Sequence, residues 1–393
     1  MRSMDHARET CEAFLPGLLD KLDDIPLSEL EAPGSPALDH FRACGGPGLV
    51  IPTKYHGGGA DPLQALAVVR AVGAHSPSLA VATTMHHFSV ATLFTLADSV
   101  QRSGMEWALL EGIAEQGLLV ASGFAEGRPG QGILAPTVRA EAVDGGYLVN
   151  GSKKPCSLSA SMDLLTASVA LPTKNGPDSP DGTSDATGDG DGTELAVMLL
   201  PRPTEGISVH PFWKSWALAG AESDEVRLTD VFVDEQLLMR TGAAEPGRLD
   251  ELQTVGFLWF ELLISASYLG AAGALVESAL GRERGSTSDR ADLVTRLETA
   301  NLLLEGVARM LRDGENGDEA LGKALVARYA AQDALGETVR RAVEMLGGTA
   351  FIASSEVAYL AAVSHGLGFH PPSRASFAAP YLEHVAGSPL RLA

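Results

Sequence analysis

Two changes of pattern divide this chain of 393 residues, and they constrain its fold more than any single motif does. Apolar residues recur at helical spacing up to about Gln116, and again from about Leu249 to the end. Between these parts the pattern consists of short β-rich runs bounded by Gly, Pro or Asp. This order predicts an α+β protein with an N-terminal helical domain over 1–116, a central β domain over 117–238 and a C-terminal helical domain over 239–393.

Individual segments follow the same division. Periodic apolar spacing predicts helices at Pro62–Gly73, Ser89–Leu96, Gly256–Leu280, Ala291–Arg312 and Ala320–Gly347. Short apolar runs predict strands at Leu118–Phe124, Val138–Val143, Gly146–Val149, Leu164–Leu171, Leu195–Leu200 and Ile207–Pro211. Gly347 and Gly348 predict the C-cap of the last long helix. Long helices this rich in Ala and Leu usually pack into a bundle, often with another subunit.

Charge and composition disfavour several classes of partner. The formal net charge of -21 disfavours nucleic acid and anionic membranes, because phosphate binding needs clustered Lys and Arg. No window has the unbroken apolar stretch of about 20 residues that a spanning helix needs. Met1–Asp5 lacks the features of a secretion signal, and three scattered cysteines do not form a disulfide framework. We therefore expect a cytoplasmic protein with no nucleic-acid or membrane partner.

One segment of the central domain differs in composition from the rest. Residues 172–194 carry six acidic side chains among Gly, Ser, Thr and Pro, with only Lys174 opposing them. Such a stretch cannot bury enough apolar surface to offset its ordering entropy, so we predict an acidic flexible loop. Asp189 and Asp191 have D-x-D spacing, but the rest of a calcium loop is absent. No His pair has ligand spacing with a carboxylate either, and we predict no metal site.

A glycine-punctuated run, Ala121–Gly132 (A-S-G-F-A-E-G-R-P-G-Q-G), stands between two of the predicted strands. Its glycines let the backbone pass close to a flat ligand or present N–H groups to a phosphate. Taken alone, such a run is also an ordinary β-turn. Its position, followed by Gly151-Ser152-Lys153 and a helical part with Leu346-Gly347-Gly348, makes the combination more specific.

This combination resembles the acyl-CoA dehydrogenase superfamily, including its N-hydroxylase and monooxygenase relatives. Ala121–Gly132 lies where the family has its T-E-P-x-x-G-S-D flavin loop, and Glu126 falls on the Glu of that motif. Gly151-Ser152-Lys153 matches the family's G-x-K, and Trp216–Val233 resembles the segment that closes its β domain. The resemblance implies an N-terminal helical domain, a central β-barrel-like domain and a C-terminal four-helix bundle. It also implies a homodimer or homotetramer.

The resemblance further implies where a flavin would bind. Phe124 and Ala125 would line the ring through backbone groups, and Ser157 would lie near its N5 and O4 atoms. The remaining positions that match cofactor contacts of the family are Gly130, Gln131, Arg284, Gly347, Gly348 and Ser373. For Ser157 and Ser373 the alternative is a surface or turn hydroxyl. The resemblance implies FAD as the cofactor. Two departures from the family leave FMN as the alternative: Pro155 replaces the aromatic residue beside the flavin, and no legible R-x-x-F-G motif follows in the C-terminal helices.

The largest departure from the family's dehydrogenases concerns the catalytic base. Those enzymes remove the α-proton of a thioester with a carboxylate. Pro371 stands where the usual Glu is expected, and proline cannot accept a proton. Glu261 is a lone carboxylate within the apolar stretch Phe257–Gly270, where burial costs several kcal/mol unless the group is paired or protonated. We predict Glu261 as the base; the alternative is an interhelical salt bridge to an Arg of the bundle.

Histidines offer a different chemistry. His370 stands next to Pro371, and His86-His87 lie on a predicted helix that, in the family this chain resembles, ends near the substrate pocket. Because a His titrates near neutral pH, His370 is a candidate for assisting hydroxylation. A packed or solvent-facing ring is the alternative for each of the three.

These features give a ranked expectation for function. The first is a flavin-dependent oxidoreductase that carries out α,β-dehydrogenation of an acyl thioester, on CoA or a carrier protein. It would transfer hydride to flavin N5 and then pass electrons to an acceptor. The alternative is a flavin monooxygenase or N-hydroxylase that needs a flavin reductase and oxygen. A third possibility is a flavin-free binding or scaffold subunit.

Overall fold

The computed structural model describes residues 1–99, 104–128, 136–172, 193–240, 249–282 and 284–392. Before the first strand lie the helices α1 Arg2–Phe14, α2 Leu18–Asp23, α3 Leu27–Leu30, α4 Ala37–Ala43, α5 Pro62–His75, α6 Pro77–Ala97 and α7 Met105–Gln116. The strands are β1 Val120–Gly123, β2 Arg139–Val143, β3 Gly146–Cys156, β4 Leu164–Pro172, β5 Thr193–Pro201, β6 Ile207–His210, β7 Asp224–Asp234 and β8 Leu238–Arg240. The last part contains α8 Glu251–Gly281, α9 Thr287–Arg312, α10 Gly317–Leu346, α11 Gly348–Ala353, α12 Ser355–Val363 and α13 Arg374–Val385.

The long helices begin at sequence-encoded caps. Asp61 accepts a hydrogen bond from the Gln64 N–H while the Gln64 side chain accepts from the Asp61 N–H, and Pro62 occupies the first turn of α5. Asp250 and Gln253 form the same reciprocal pair at the start of α8. Each pair satisfies N–H groups that a helix start otherwise leaves without partners.

Helix α8 is the central element of the helical core. It packs against α5, α6, α9 and α10, so helices from both ends of the chain share one core. A helix surrounded in this way is apolar on all faces rather than on one stripe. Gly73 and Gly270 allow α5 and α8 to approach closely, because a Cβ at either position would overlap the backbone of the other helix.

Two helices, Pro77–Ala97 and Glu251–Gly281, are long and apolar enough by composition to cross a membrane. The sequence-based statement that no window is apolar enough was therefore wrong. Both helices lie mostly inside the protein, with 72% and 89% of their most apolar windows buried. Their composition follows from burial in the core.

The strands form one mixed sheet in the order β6-β7-β3-β2-β4-β5-β8, with β1 pairing with β4 in parallel. Strand β3 pairs with β7 antiparallel, and the register shifts between Val149 and Gly151 and between Lys153 and Cys156. Within the described residues this path begins at β6 and ends at β8. Barrel-like closure, a separate four-helix bundle and the domain boundaries at 116 and 238 stay predictions.

Each predicted helix and strand lies within or overlaps an observed one, and the differences are local. The run Gly146–Val149 is the first part of a longer strand that reaches Cys156, and β7 and β8 were not predicted as strands. Residues at both ends of the predicted acidic loop 172–194 belong to strands, since Pro172 pairs with Thr193. The rest of that loop, 173–192, lies outside the described residues.

A buried carboxylate joins three distant segments near the sheet. Glu31 accepts hydrogen bonds from the hydroxyls of Ser76 and Ser78, and from the phenol of Tyr359 on α12. The Tyr359 oxygen in turn accepts from the Leu218 N–H at 3.0 Å. Burial raises the pKa of Glu31 and the hydrogen bonds oppose that effect. This cluster links the N-terminal helices, the segment before β7 and the C-terminal helices.

We expect Tyr359→Phe to lower the free energy of unfolding by about 1–3 kcal/mol, because Glu31 and the Leu218 N–H each lose a buried partner. Chemical denaturation measures the loss. Tyr381→Phe is the control, since Tyr381 stacks on Phe377 through its ring. Equal stability losses in the two variants would contradict the prediction.

Candidate functional site

A cavity of about 1040 Å³ lies where the helical core meets the sheet. Its walls come from α6, from the segment after β1, from the end of β3, from α8 and from residues 366–373. Residues that line it and bear on the chemistry are Phe88, Phe124, Ala125, Glu126, Pro155, Ser157, Ser223, Phe257, Phe260, Tyr268, His370, Pro371 and Ser373. The volume is at the upper end of the range for small-molecule sites, so a cofactor and a small substrate can share it.

Glu126 organises the segment that follows β1. Its carboxylate accepts hydrogen bonds from the backbone N–H groups of Thr137 and Val138 and from Lys153 Nζ at 2.7 Å. Lys153 is fully buried and also donates to Ser168 Oγ at 3.0 Å. Burial favours the neutral carboxyl, but the hydrogen bonds from Lys153 and Thr137 outweigh it and lower the pKa of Glu126 to about 2. Glu126 is therefore an ionised structural anchor.

The same segment is pressed against β3. The Lys154 N–H donates to the Ala125 carbonyl at 2.8 Å, and Gly127 adopts a left-handed φ of 66° beside the Lys154 side chain. A Cβ at Gly127 would lie 2.9 Å from Lys154 Cγ, so the close approach favours glycine. This packing presents Phe124 and Ala125 to the cavity; the contact with a flavin ring that the resemblance implied stays a prediction.

Hydroxyl groups supply polar contacts on the cavity wall. Ser157 and Ser223 are buried, and their oxygens lie 2.9 Å apart. Ser373 caps α13, because its hydroxyl accepts from the Ser376 N–H at 3.1 Å, and it also lines the cavity. A wall of aromatic rings, Pro155 and paired hydroxyls suits the flat, largely apolar flavin ring and its polar edge. Contact of these serines with a flavin stays a prediction.

Three of the predicted cofactor residues, Arg284, Gly347 and Gly348, do not line this cavity. Arg284 donates from Nη1 to the Leu346 carbonyl at 3.1 Å, and Gly347 ends α10 with a φ of 82°. Gly347 thus confirms the predicted C-cap, while Gly348 begins the short helix α11. None of the three lines the cavity of the described chain. Gly130 and Gln131 lie outside the described residues.

Glu261 does not face the cavity. Its carboxylate pairs with Arg328 on α10 at 3.1 Å, and both side chains are only 1% exposed. Burial raises the pKa of Glu261 to about 7, against the opposing effect of Arg328. The structure corresponds to the alternative reading, an interhelical ion pair. Glu261 is also not among the cavity-lining residues, so its position does not support a role as the catalytic base.

A histidine and a tyrosine line the part of the wall where the resemblance implied a catalytic carboxylate. His370 Nε2 lies 2.8 Å from the Tyr268 hydroxyl, and both residues line the cavity. Burial, reinforced by the charge of Arg328, lowers the pKa of His370 to about 3, so the ring is uncharged near neutral pH. Burial raises the pKa of Tyr268. No residue of α8 or of 366–373 that lines the described cavity is a carboxylate.

The other candidate histidines are packed in the core. His86 Nδ1 accepts from the Val120 N–H at 3.0 Å, and its Nε2 lies 2.8 Å from the Pro47 carbonyl. His87 is fully buried next to it. Burial lowers the pKa of both rings, that of His86 to about 4. Neither is among the cavity-lining residues, so the packed alternative describes them.

Sequence reasoning missed Tyr268 and Arg328. Tyr268 belongs to the same apolar stretch as Glu261. Its phenol hydroxyl, a polar group on a buried helix, was the signal that could have marked it as a site residue. Arg328 carries no such signal, because the helical pattern of α10 contains several arginines and the buried one differs only in its packing.

Comparison with known proteins shows which family this chain belongs to. No family model matches the chain. An isobutylamine N-hydroxylase from Streptomyces viridifaciens is 52% identical over 393 residues, which cover 100% of each chain. An acyl-CoA dehydrogenase from Bacillus subtilis is 25% identical over 353 residues, covering 85% of this chain and 83% of that one. The chain belongs to the acyl-CoA dehydrogenase superfamily of flavoproteins.

Solved structures agree with the fold of this superfamily member. KijD3, in complex with FMN and dTDP-3-amino-2,3,6-trideoxy-4-keto-3-methyl-D-glucose, superposes with a TM-score of 0.77 at 17% identity. The match covers 98% of this chain and 94% of that one. The predictions of a flavin-dependent oxidoreductase and of an acyl-CoA dehydrogenase-like fold are thereby confirmed. The first-ranked expectation, acyl-thioester dehydrogenation, is not confirmed, since the comparisons favour the monooxygenase alternative.

We expect Glu126→Gln to destabilise this flavoprotein by about 3–5 kcal/mol, because the buried Lys153 ammonium loses its counterion. The flavin content of the purified variant should fall as well, since the segment with Phe124 and Ala125 loses its anchor. Thermal denaturation and visible absorbance measure the two effects. Glu115→Gln, at an exposed ion pair with His56, is the matched control and should change stability by less than about 1 kcal/mol.

Proposed function

We propose that this protein is a flavin-dependent N-hydroxylase of a small primary amine. The observation that carries the proposal is the composition of the cavity wall at α8 and 366–373. This wall is aromatic, carries the uncharged His370–Tyr268 pair and offers no carboxylate among its described residues. The 52% identity to an isobutylamine N-hydroxylase over the full chain supports the same reaction.

A flavin, FMN or FAD, would be held by Phe124, Ala125, Ser157 and Ser223, whose positions fit a flat ring with a polar edge. A flavin held there and reduced with two electrons by a separate flavin reductase would supply the activation of O₂ that oxygen transfer needs. The amine gains one oxygen atom as R–NHOH, and the second oxygen leaves as water with two protons. The KijD3 structure, which holds FMN together with an amino sugar, supports this pairing of ligands.

The protonation state of the amine decides whether this reaction is possible. Only the free base has the lone pair that attacks oxygen, whereas an alkylammonium is the main form in water, with a pKa near that of Lys at about 10.4. Transfer of an unpaired cation into an apolar cavity costs several kcal/mol, so the cavity favours the neutral amine. The uncharged His370 and Tyr268 can exchange hydrogen bonds with the amine without fixing a charge on it.

The alkyl part of the substrate would contact a cluster of aromatic rings. Phe88 and Phe260 have ring centroids 5.5 Å apart, and Phe260 also contacts Phe257 and His370. These rings offer apolar area for a short hydrocarbon chain next to His370. Acyl-thioester dehydrogenation has less support, because it needs a free carboxylate base facing the substrate. The described wall at α8 and 366–373 has none, and the carboxylate of Glu126, which also lines the cavity, is held by Lys153 and by the backbone of Thr137 and Val138. Homo-oligomer formation and a cytoplasmic location stay predictions.

We expect the purified protein, supplied with a flavin reductase, NAD(P)H and O₂, to convert a short alkylamine such as isobutylamine to the hydroxylamine. Mass spectrometry of the product and flavin identification by mass check this. His370→Ala should lower kcat/KM by about 10²-fold, because the amine would lose a hydrogen-bonding group that orients it for the reaction. His75→Ala, at a residue whose ring Nδ1 lies 2.6 Å from the Asp23 carboxylate and away from the cavity, is the control. Flavin reduction by acyl thioesters without amine turnover would refute the proposal.

Above about pH 8 the pH dependence should follow the amine and not the enzyme. His370 stays uncharged there, since its pKa lies at about 3, and Glu261, with a pKa of about 7, is ionised, so kcat/KM should rise with pH until the amine is deprotonated in water. A β-fluorinated amine of lower pKa should therefore reach its plateau at correspondingly lower pH. Steady-state kinetics for the amine and its fluorinated analogue measure the two profiles. Coincident profiles would show that an enzyme group controls the reaction instead.

A further inference from the structure

Arg328 lies beneath the segment that carries His370. Its guanidinium donates to the carbonyls of Leu367 at 3.0 Å, His370 at 2.6 Å, Pro371 at 3.1 Å and Pro372 at 3.3 Å. The two prolines have no N–H groups, so Pro371 and Pro372 donate no backbone hydrogen bonds that could tie this segment to its surroundings. One planar side chain with five N–H donors satisfies carbonyls that would otherwise be buried without partners.

Glu261 compensates the charge that this arrangement buries. Its carboxylate meets Arg328 Nη1, and each side chain is only 1% exposed. A buried guanidinium without a counterion would be strongly unfavourable next to the apolar rings of α8. Neither Glu261 nor Arg328 lines the cavity. The hydrogen bond from Arg328 to His370 is made to its main-chain carbonyl, and the charge of Arg328 also acts on the pKa of the ring.

His370 is held from two sides as a result. Arg328 fixes its carbonyl, and the Tyr268 hydroxyl meets its ring Nε2 at 2.8 Å. The Tyr329 hydroxyl adds a bond of 2.9 Å to the Pro372 carbonyl two residues further on. A shift of the 367–372 segment would move the His370 ring within the cavity while leaving Tyr268 on its rigid helix.

We propose that Glu261 and Arg328 are positioning residues, and that their buried ion pair sets the orientation of His370 toward the substrate. The inference rests on the proposed amine oxygenation for its kinetic consequence. Its structural part, the dependence of the His370–Tyr268 contact on Arg328, is independent of which reaction the enzyme catalyses.

The chain provides a matched control for loss of a buried arginine. Arg70 is 2% exposed and donates to Asn301 Oδ1 at 2.9 Å, joining α5 to α9. Like Arg328 it is a buried arginine between two helices, but it does not line the cavity or contact residues 366–373. Arg70→Lys should therefore lower stability without changing the kinetics of the folded enzyme.

We expect Arg328→Lys to lower kcat/KM for the amine by about 10- to 100-fold, because an ammonium cannot span the four carbonyls and small misplacements of a reacting group cost this much. Glu261→Gln should also lower kcat/KM for the amine. In a His370→Ala background the Arg328→Lys change should have little further effect, as expected for residues that act as a unit. Equal kinetic losses in Arg328→Lys and Arg70→Lys, or additive losses with His370→Ala, would overturn the proposal.

A spectroscopic measurement separates this inference from the proposed function. In protein labelled with ¹⁵N-histidine, the Nε2 resonance of His370, assigned by its loss in His370→Ala, reports its contact with Tyr268. This resonance should shift in Arg328→Lys and stay in place in Arg70→Lys. An unchanged resonance in Arg328→Lys would overturn the inference even with an active wild-type enzyme. Absence of amine turnover in the wild type would overturn the proposed function while the shift still tests the inference.

Discussion

Burial of α8 on every side is the constraint on which the rest of the structure depends. This helix contacts α5, α6, α9 and α10, so the first and last parts of the chain cannot form separate cores. Close approach to α5 requires Gly73 and Gly270, where any side chain would overlap the neighbouring backbone. Because interiors pack at crystal-like density, residues on α8 are placed accurately for both its structural and its chemical contacts.

One stretch of α8 serves two purposes. Phe257, Phe260 and Tyr268 line the cavity, whereas Glu261 points away from it toward Arg328. Adjacent residues on a helix point about 100° apart, so Phe260 and Glu261 meet different surroundings. The helix thus connects the cavity wall to the buried pair beneath residues 367–372 and couples their positions.

The difference from acyl-thioester dehydrogenation also lies in this region. Pro371 stands where the resemblance places a carboxylate, and His370 faces the cavity with Tyr268 as its partner. On the proposed function, this exchange of a charged base for uncharged groups would let the wall accept a neutral amine without assisting α-proton removal. A shared fold therefore does not by itself identify the reaction.

The sequence by itself determined the helix–strand–helix order and the C-cap at Gly347, because these depend on local periodicity and on single residues at element ends. Only the tertiary structure decided the role of Glu261. A lone carboxylate in an apolar helix predicts that it needs a partner or a proton, but Arg328 lies 67 residues away along the chain. Likewise the pairing of Tyr268 with His370 joins residues 102 apart. Such contacts arise from packing of distant elements, which no local pattern encodes.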